Sequence, residues 1–492
     1  MTVTANTANP TGATGTVPVE PSEAVREVSY RPGRGRWIDH WDPESRTFWS
    51  SGGSRVARRN LVLSIFSEHV GFSVWSLWSV LVLFLTPKYG ISSVASEAAA
   101  QKFLLTTVPT AIGAGIRLPY TLAVARFGGR NWTVCSALML LVPTVAAAAL
   151  LRPGISFATL LIIAALAGVG GGNFASSMTN INSFYPQRLK GAALGLNAGG
   201  GNLGVAAVQL VGLLVLAITG KDQPRLMLAV YIPLIVLAAV GATMFMDNIS
   251  HVRNEKRALR DVCRDRHTWV MSFLYIGTFG SFIGFGFAFG QVLSNQFGAH
   301  FASVNSITGK LAVDPVKIAY LTFLGPLVGS LIRPVGGWLA DRFGGARTTF
   351  TNFVAMIVAA LIVLGASWLD SLQLFMVGFV ALFVFSGIGN GSTYKMIPAI
   401  FRARANHRVS NGSLAQPAAE HDSRRLANAL IGIAGAVGAF GGVLVNIAFR
   451  QSFLAYKNGN GAYVAFIAFY VCCAAVTWFV YLHPRRGRLS GV

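Results

Sequence analysis

Apolar stretches of membrane-spanning length, broken by short polar segments, run through the chain from about residue 61 to residue 482. Twelve can be separated: 61–86, 101–125, 132–151, 155–181, 191–218, 227–246, 269–296, 315–340, 347–368, 372–401, 426–450 and 461–482. Each, coiled as a helix, is long enough to cross a hydrocarbon core of about 30 Å. The pattern predicts an all-α membrane protein of twelve transmembrane helices. An even number places both termini on the same side.

The polar segments say which side. Arg55, Arg58 and Arg59 precede the first span, Arg126 and Arg130 follow the second, and Arg188 and Lys190 follow the fourth. Arg253 to Arg266 fill the break after the sixth, and Arg402 to Arg425 and Arg485 to Arg488 continue the series. The alternate segments hold only scattered cations such as Lys88, Arg152, Lys221 and Lys457. A Lys/Arg excess on every second connection marks the cytoplasmic face, so both termini are expected in the cytoplasm.

Composition agrees. Of 492 residues, 53% are hydrophobic and 12% charged, against about 25% charged in a soluble chain. The net charge of +22 would suit a nucleic-acid partner only if it gathered on one face or tail. Here it is spread over the connections, which argues for the bilayer and against nucleic acid. Cys135, Cys263, Cys472 and Cys473 show neither metal spacing nor a disulfide framework, and nothing calls for a cofactor. The first fifty residues, rich in Thr, Ser, Gly and Pro, lack an apolar core. They read as a largely disordered cytoplasmic tail rather than a cleaved signal.

The polar break at 247–268 divides the spans into two sets of six. The expected organisation is a tail at 1–60, a six-helix half at 61–246, a central loop at 247–268, a second half at 269–482 and a tail at 483–492. An internal repeat supports the division: Arg117 and Arg333 are each followed nine residues later by Arg-Phe-Gly-Gly. Matched elements in two six-helix halves indicate a duplicated transporter fold. The second copy, Asp341 to Gly345, resembles the loop motif of the major facilitator superfamily, which pins neighbouring helix ends together.

Arg126 and Arg342 mark the basic ends of their helices, so Arg117 and Arg333 lie about 13 Å deeper, near the midplane. A cation there costs at least about 2.5–3.5 kcal/mol unless it faces a cavity or a partner. One reading pairs each arginine with a carboxylate or carbonyl. Acidic residues at matching depth are scarce, with Glu68 the main exception, so the other reading makes the counter-charge a small oxyanion. Arginine suits it, since a planar fork gives two parallel hydrogen bonds and holds its charge.

Glycine-rich runs occupy both halves. In the first they include Gly170, Gly171 and Gly172, then Gly199, Gly200 and Gly201; in the second, 387–396 and 432–442 with Gly435 and Gly438. They serve either as plain tight packing or as sliding contacts between moving helices. Asn173, Asn197, Asn202 and Gln209, amides that need partners when buried, favour function. No Gly-Lys-Ser/Thr ending follows, so a phosphate-binding loop is excluded. No paired carboxylates, metal cluster or activated nucleophile lies at depth, so an enzyme is not expected.

The run GGGNFASSMTNINSFYPQRLKGAALGLNAGGGNLGVAAVQL (170–210) resembles the nitrate signature of the nitrate/nitrite porter family, the NarK-like branch of the major facilitator superfamily. GNGSTYKMIPAIF (389–401), GIAGAVGAFGG (432–442), EHVGFSVWSLWS (68–79) and WDPESRTFW (41–49) are similar to further family segments. The resemblance covers nearly the whole chain from about residue 37. It implies a bacterial inner-membrane carrier, a monomer as working unit, and nitrate and nitrite as substrates. It also implies that Arg117 and Arg333 clamp the anion, Asn202 contacts it, Tyr275 stands near it, and Phe72, Phe174 and Phe279 sandwich it. On the residues alone those phenylalanines read as core or lipid-facing. Ala198 stands where some family members have glycine.

Alternating access would rock the two halves about a midplane site. Two unscreened arginines resist occlusion and a bridging anion relieves it, which favours nitrate/nitrite exchange. The competing mechanism is proton-coupled nitrate uptake. Glu68 and His69 could carry the proton, but the same pair reads as interfacial snorkelling near a helix start. Lys395 reads as interfacial too. A channel would need no duplicated halves.

Overall fold

The computed structural model describes residues 34–219, 224–250, 256–304, 311–413 and 415–483. Residues 1–33 of the expected tail, Lys221, Arg253 and the terminal Arg485, Arg486 and Arg488 lie outside them.

Among the described residues, twelve long helical segments follow one another: α1 (Arg46–Phe84), α2 (Ala95–Phe127), α3 (Gly129–Leu150), α4 (Phe157–Phe184), α5 (Gln187–Thr219), α6 (Leu226–Phe245), α7 (Arg266–Gln296), α8 (Pro315–Phe343), α9 (Gly345–Trp368), α10 (Leu372–Ser410), α11 (Gln416–Tyr456) and α12 (Asn460–Leu482). Eleven of them are long and apolar enough to cross a membrane. The remaining one, α2, has 33 residues, and Arg117, Thr106, Thr107 and Thr110 dilute its hydropathy. Outward faces carry Val142, Ile162, Leu237, Val358 and Val377, all more than half exposed. Such a surface is stable against lipid and would associate in water.

The Arg-Phe-Gly-Gly copies have a local cause. Gly128 and Gly344 stand at φ +86° and +92°, in the left-handed half of the map that glycine enters without strain. Each ends one helix, α2 or α8, and the following glycine starts the next. Several other starts are capped by side chains: Ser156 accepts from Thr159 N–H, Asp265 from His267 N–H and Ser371 from Leu374 N–H.

The two sets of six helices meet through α2 against α11 and α5 against α8. The second helix of each set thus packs on the fifth of the other, a pseudo-symmetric arrangement. At the end remote from the Arg-Phe-Gly-Gly turns the seam is shut. Thr106 donates to Asn446 at 2.9 Å, Gln291 reaches Thr106 at 3.3 Å, and Phe103 stacks on Phe449 and Phe453 at 5.9 and 5.5 Å. At the Arg-Phe-Gly-Gly end, rich in Lys and Arg, a cavity of about 960 Å³ separates α5 from α8, α10 and α11.

Three expectations need correction. The segment before the first span is ordered from residue 34 and helical from Arg46, because Trp41 packs on Phe48 and Phe184 (5.1 and 5.2 Å) and Glu44 accepts from Gln187 N–H at 2.8 Å. Its strand β1 (Trp37–Ile38) pairs in parallel with β2 (Asn248–Ile249). Beside them the buried Asp247 takes Arg36 at 2.8 Å, Arg59 at 2.6 Å and Asn60 at 3.0 Å. The polar stretch 402–425 is not a loop: α10 runs to Ser410 and α11 starts at Gln416. Its charges are spent sideways, with Arg425 on Asp261 and Asp422 and Arg404 on Asp265. Finally, Glu68 is fully buried well inside α1, so it does not snorkel at an interface. Lys395, by contrast, is exposed and paired with Asp341 at 2.7 Å, near the basic end.

Candidate anion site

Arg117 is fully buried on α2. Its Nε donates to Gly171 O at 3.1 Å and its Nη1 to Gly435 O at 2.8 Å. Both carbonyls belong to the glycine runs; a Cβ at Gly171 would sit 2.7 Å from Gly113 Cα, so its absence lets α4 close on α2, the helix that carries Arg117. The carbonyl pairing weighed for a buried arginine is therefore realised here in part, but Nη2 has no partner.

Around Arg117 the rings of Phe174, Phe279, Trp75 and Phe72 lie 4.8, 5.0, 5.6 and 6.0 Å from Cζ. Phe72 and Phe174 are parallel within 2°, with centroids 6.0 Å apart. Trp75 is fixed by its indole N–H to Pro109 O at 2.8 Å. The cage is thus apolar with π faces turned to the cation, which strengthens electrostatics by excluding water.

Arg333, on α8, is 6% exposed. Its Nη2 donates to the Tyr275 hydroxyl at 3.2 Å, and Nη1 has no partner. Tyr275 stacks on Phe279 at 5.2 Å, and Phe279 stands against Arg117, so one ring pair links the two cations. Gly438 makes this possible, since a Cβ there would sit 2.5 Å from Tyr275 Cδ1. Each arginine thus keeps one buried donor open. A buried N–H of a cation left unpaired is costly, and neither arginine has a carboxylate within salt-bridge range among the described residues.

The structure brings Phe72, Phe174 and Phe279 to Arg117, and Tyr275 to Arg333. Asn202 is buried on α5 with both amide atoms unpartnered, in hydrogen-bond contact with neither arginine. Asn173 and Asn390 are in the same condition. Asn197 instead donates to Glu68 Oε2 at 2.7 Å and Ser177 at 2.6 Å, while Glu68 Oε1 is unpartnered. His69 Nδ1 lies 3.1 Å from Gly200 O. Gly170 and Gly171 pack against Gly71 and Gly113, Gly172 against Tyr120, Gly200 against Ile65 and Gly201 against Glu68; only Gly199 faces open space, beside the large cavity.

Two site residues escaped the sequence reading. Trp75 follows Phe72 by three, which puts both on one helix face, a signal that could have found it. Tyr394 lies one turn beyond Gly391, whose absent Cβ lets α10 close on Arg333 O; its ring centroid is 5.7 Å from Arg333 Cζ.

A family model described as Major Facilitator Superfamily matches residues 62–420. The chain is 35% identical over 463 residues to the nitrate/nitrite transporter NarU of Salmonella typhimurium, covering 90% of this chain and 96% of that one. It is 36% identical to NarU of Escherichia coli K12, covering 90% and 95%. With the probable nitrate/nitrite antiporter NarK2 of Thermus thermophilus it shares 32%, covering 92% and 98%. Among solved structures, a D-xylose-proton symporter aligns with TM-score 0.65 at 13% identity, over 89% of this chain and 99% of that one. A partially occluded inward-open xylose transporter XylE from E. coli aligns at 0.62 and 12%, over 86% and 98%. These last likenesses speak for the fold alone.

Proposed function

The chain belongs to the Major Facilitator Superfamily, in its nitrate/nitrite porter branch, and from that premise we propose that it exchanges nitrate for nitrite, each anion held between Arg117 and Arg333. The observation that carries this reading is the pair of open donors, Arg117 Nη2 and Arg333 Nη1, one from each half. A planar monoanion with several acceptor oxygens answers both donors at once and offsets one of the two positive charges where water is scarce. The four rings around Arg117 match a flat, weakly hydrated ion.

Exchange follows from the charges. With the site empty, bringing the halves together presses two cations into low dielectric, a repulsion that opposes closure. A bound anion bridges them and makes closure favourable. Nitrate and nitrite carry the same charge, so either one permits the step and the return requires the other. The Lys/Arg bias puts the 960 Å³ cavity and both termini on the cytoplasmic side of a bacterial inner membrane, so the described state is open inward. Asn202, with its free amide on α5, joins the anion as that cavity closes. The working unit is a monomer, since the site draws on one chain.

One observation favours a second reading, proton-coupled nitrate uptake: Glu68 is buried with Oε1 unpartnered, an acid placed at depth beside the glycine run of α5. His69 is the weaker carrier, its Nδ1 being occupied by a backbone carbonyl.

Arg117→Lys and Arg333→Lys test the clamp. A point charge on a flexible stem cannot reproduce the fork, so each is expected to weaken nitrate binding about 10- to 100-fold and to abolish uptake into proteoliposomes. Wild-type uptake by either variant would sink the clamp.

A further inference from the structure

Tyr394 carries a buried hydroxyl that has no hydrogen-bond partner among the described residues. The residue stands in the wall shared by the 960 Å³ vestibule and a smaller pocket of about 110 Å³ that reaches Arg117, Phe174 and Gly435. Its ring lies 5.7 Å from Arg333 Cζ and 6.2 Å from the Tyr275 ring. It is therefore the one hydroxyl-bearing side chain in that shared wall, flanked there by Asn182, Leu194, Asn428 and Ile431. Close packing of Gly391 on Arg333 O holds this turn of α10 against α8.

A buried hydroxyl left unpaired costs about 1–3 kcal/mol, and partners for it in this neighbourhood are few. The rings of Phe174 and Phe279 offer no oxygen, the Tyr275 hydroxyl takes Arg333 and not Tyr394, and Asn182 Oδ1, itself unpartnered in the same wall, makes no bond to it. The arginines themselves only donate. An anion between the arginines is different, because its oxygens only accept.

Nitrate has three oxygens in a plane and nitrite has two. If Arg117 and Arg333 each engage one oxygen, both oxygens of nitrite are already bound to cations, whereas nitrate presents a third that is bound to neither. We propose that the Tyr394 hydroxyl donates to this third oxygen and so sets the preference of the site for nitrate over nitrite. The inference rests on the clamp reading above, and it assigns selectivity, rather than binding itself, to α10. Nitrate is then loaded at lower concentration than nitrite, which competes only where it accumulates.

The test is equilibrium binding to purified full-length protein, with sodium nitrate and sodium nitrite titrated separately into wild type, Tyr394→Phe and Arg333→Lys. Removing only the hydroxyl is expected to raise the nitrate dissociation constant about 10-fold and to leave that for nitrite within a factor of about two. The ratio of the two constants, measured on one preparation, does not depend on how much of the variant is folded. An unchanged ratio in Tyr394→Phe, whether both anions weaken together or neither does, overturns the proposal while leaving the clamp intact. Arg333→Lys separates the two ideas: it should weaken both anions, and if it weakens neither, the clamp fails and the tyrosine assignment with it.

Discussion

Arg117 is held by two carbonyls and four rings, yet one of its terminal nitrogens stays open. That combination is what a binding cation requires: fixed in place, but not satisfied. The sequence disclosed the two arginines through their depth and through the repeated offset to Arg-Phe-Gly-Gly. It could not disclose the cage, because a phenylalanine in an apolar run looks the same whether it faces lipid, core or anion. Phe72, Phe174 and Phe279 were legible only through family resemblance, Trp75 only through its three-residue spacing from Phe72, and Tyr394 not at all. Glu68 was misjudged for a different reason. Its helix begins in the polar stretch before residue 61, so counting from the first apolar residue placed it too near the surface. Its role is open to a direct experiment: with exchange as the mechanism, Glu68→Gln should retain nitrate/nitrite counterflow close to the wild-type rate. Loss of uptake driven by a pH gradient in that variant, in vesicles without internal anion, would instead favour the proton-coupled reading.

The helices that carry the site are shaped by glycine more than by apolar side chains. Gly435 lends its carbonyl to Arg117 and Gly438 leaves room for the Tyr275 ring, both on one face of α11. A methyl group at 438 would press on Tyr275, and overpacking of this kind costs about 1–3 kcal/mol. Gly438→Ala is therefore expected to lower the thermal unfolding midpoint and to weaken nitrate binding through Tyr275 and Arg333. Gly199→Ala, where the added carbon meets nothing within 4 Å, serves as the comparison and should leave both unchanged. If both substitutions behave alike, the tight fit is not what holds Tyr275. At this scale the glycine runs were visible in the sequence, but the reach of α10 and α11 was not. Residues 402–410 and 416–425 are too charged to read as membrane helix, yet they extend α10 and α11 beyond the apolar stretches. Arg404, Arg425, Asp261 and Asp265 pair between neighbouring segments there, and such pairing is invisible in a one-dimensional pattern.

Across the whole molecule the two six-helix sets touch along α2–α11 and α5–α8. They are sealed by Thr106, Asn446 and Gln291 at one end and open around the 960 Å³ cavity at the other. The twelve helices and the doubled organisation were readable from spacing and repeat, whereas the ordered strap at residues 34–50 was not. Short, polar and tryptophan-bearing, it has no periodicity of its own and takes its structure from Asp247, Phe184 and Gln187. Arg117 and Arg333 come one from each half, so in the proposed exchange closing the halves is a matter of charge and an anion must be present for each passage. Counterflow measures this directly. Proteoliposomes holding the protein are loaded with nitrite or left empty and given labelled external nitrate, with and without a pH gradient. Rapid uptake into nitrite-loaded vesicles, negligible uptake into empty ones and indifference to the gradient are the expected results. Nitrate accumulation in empty vesicles driven by the gradient alone would contradict obligatory exchange.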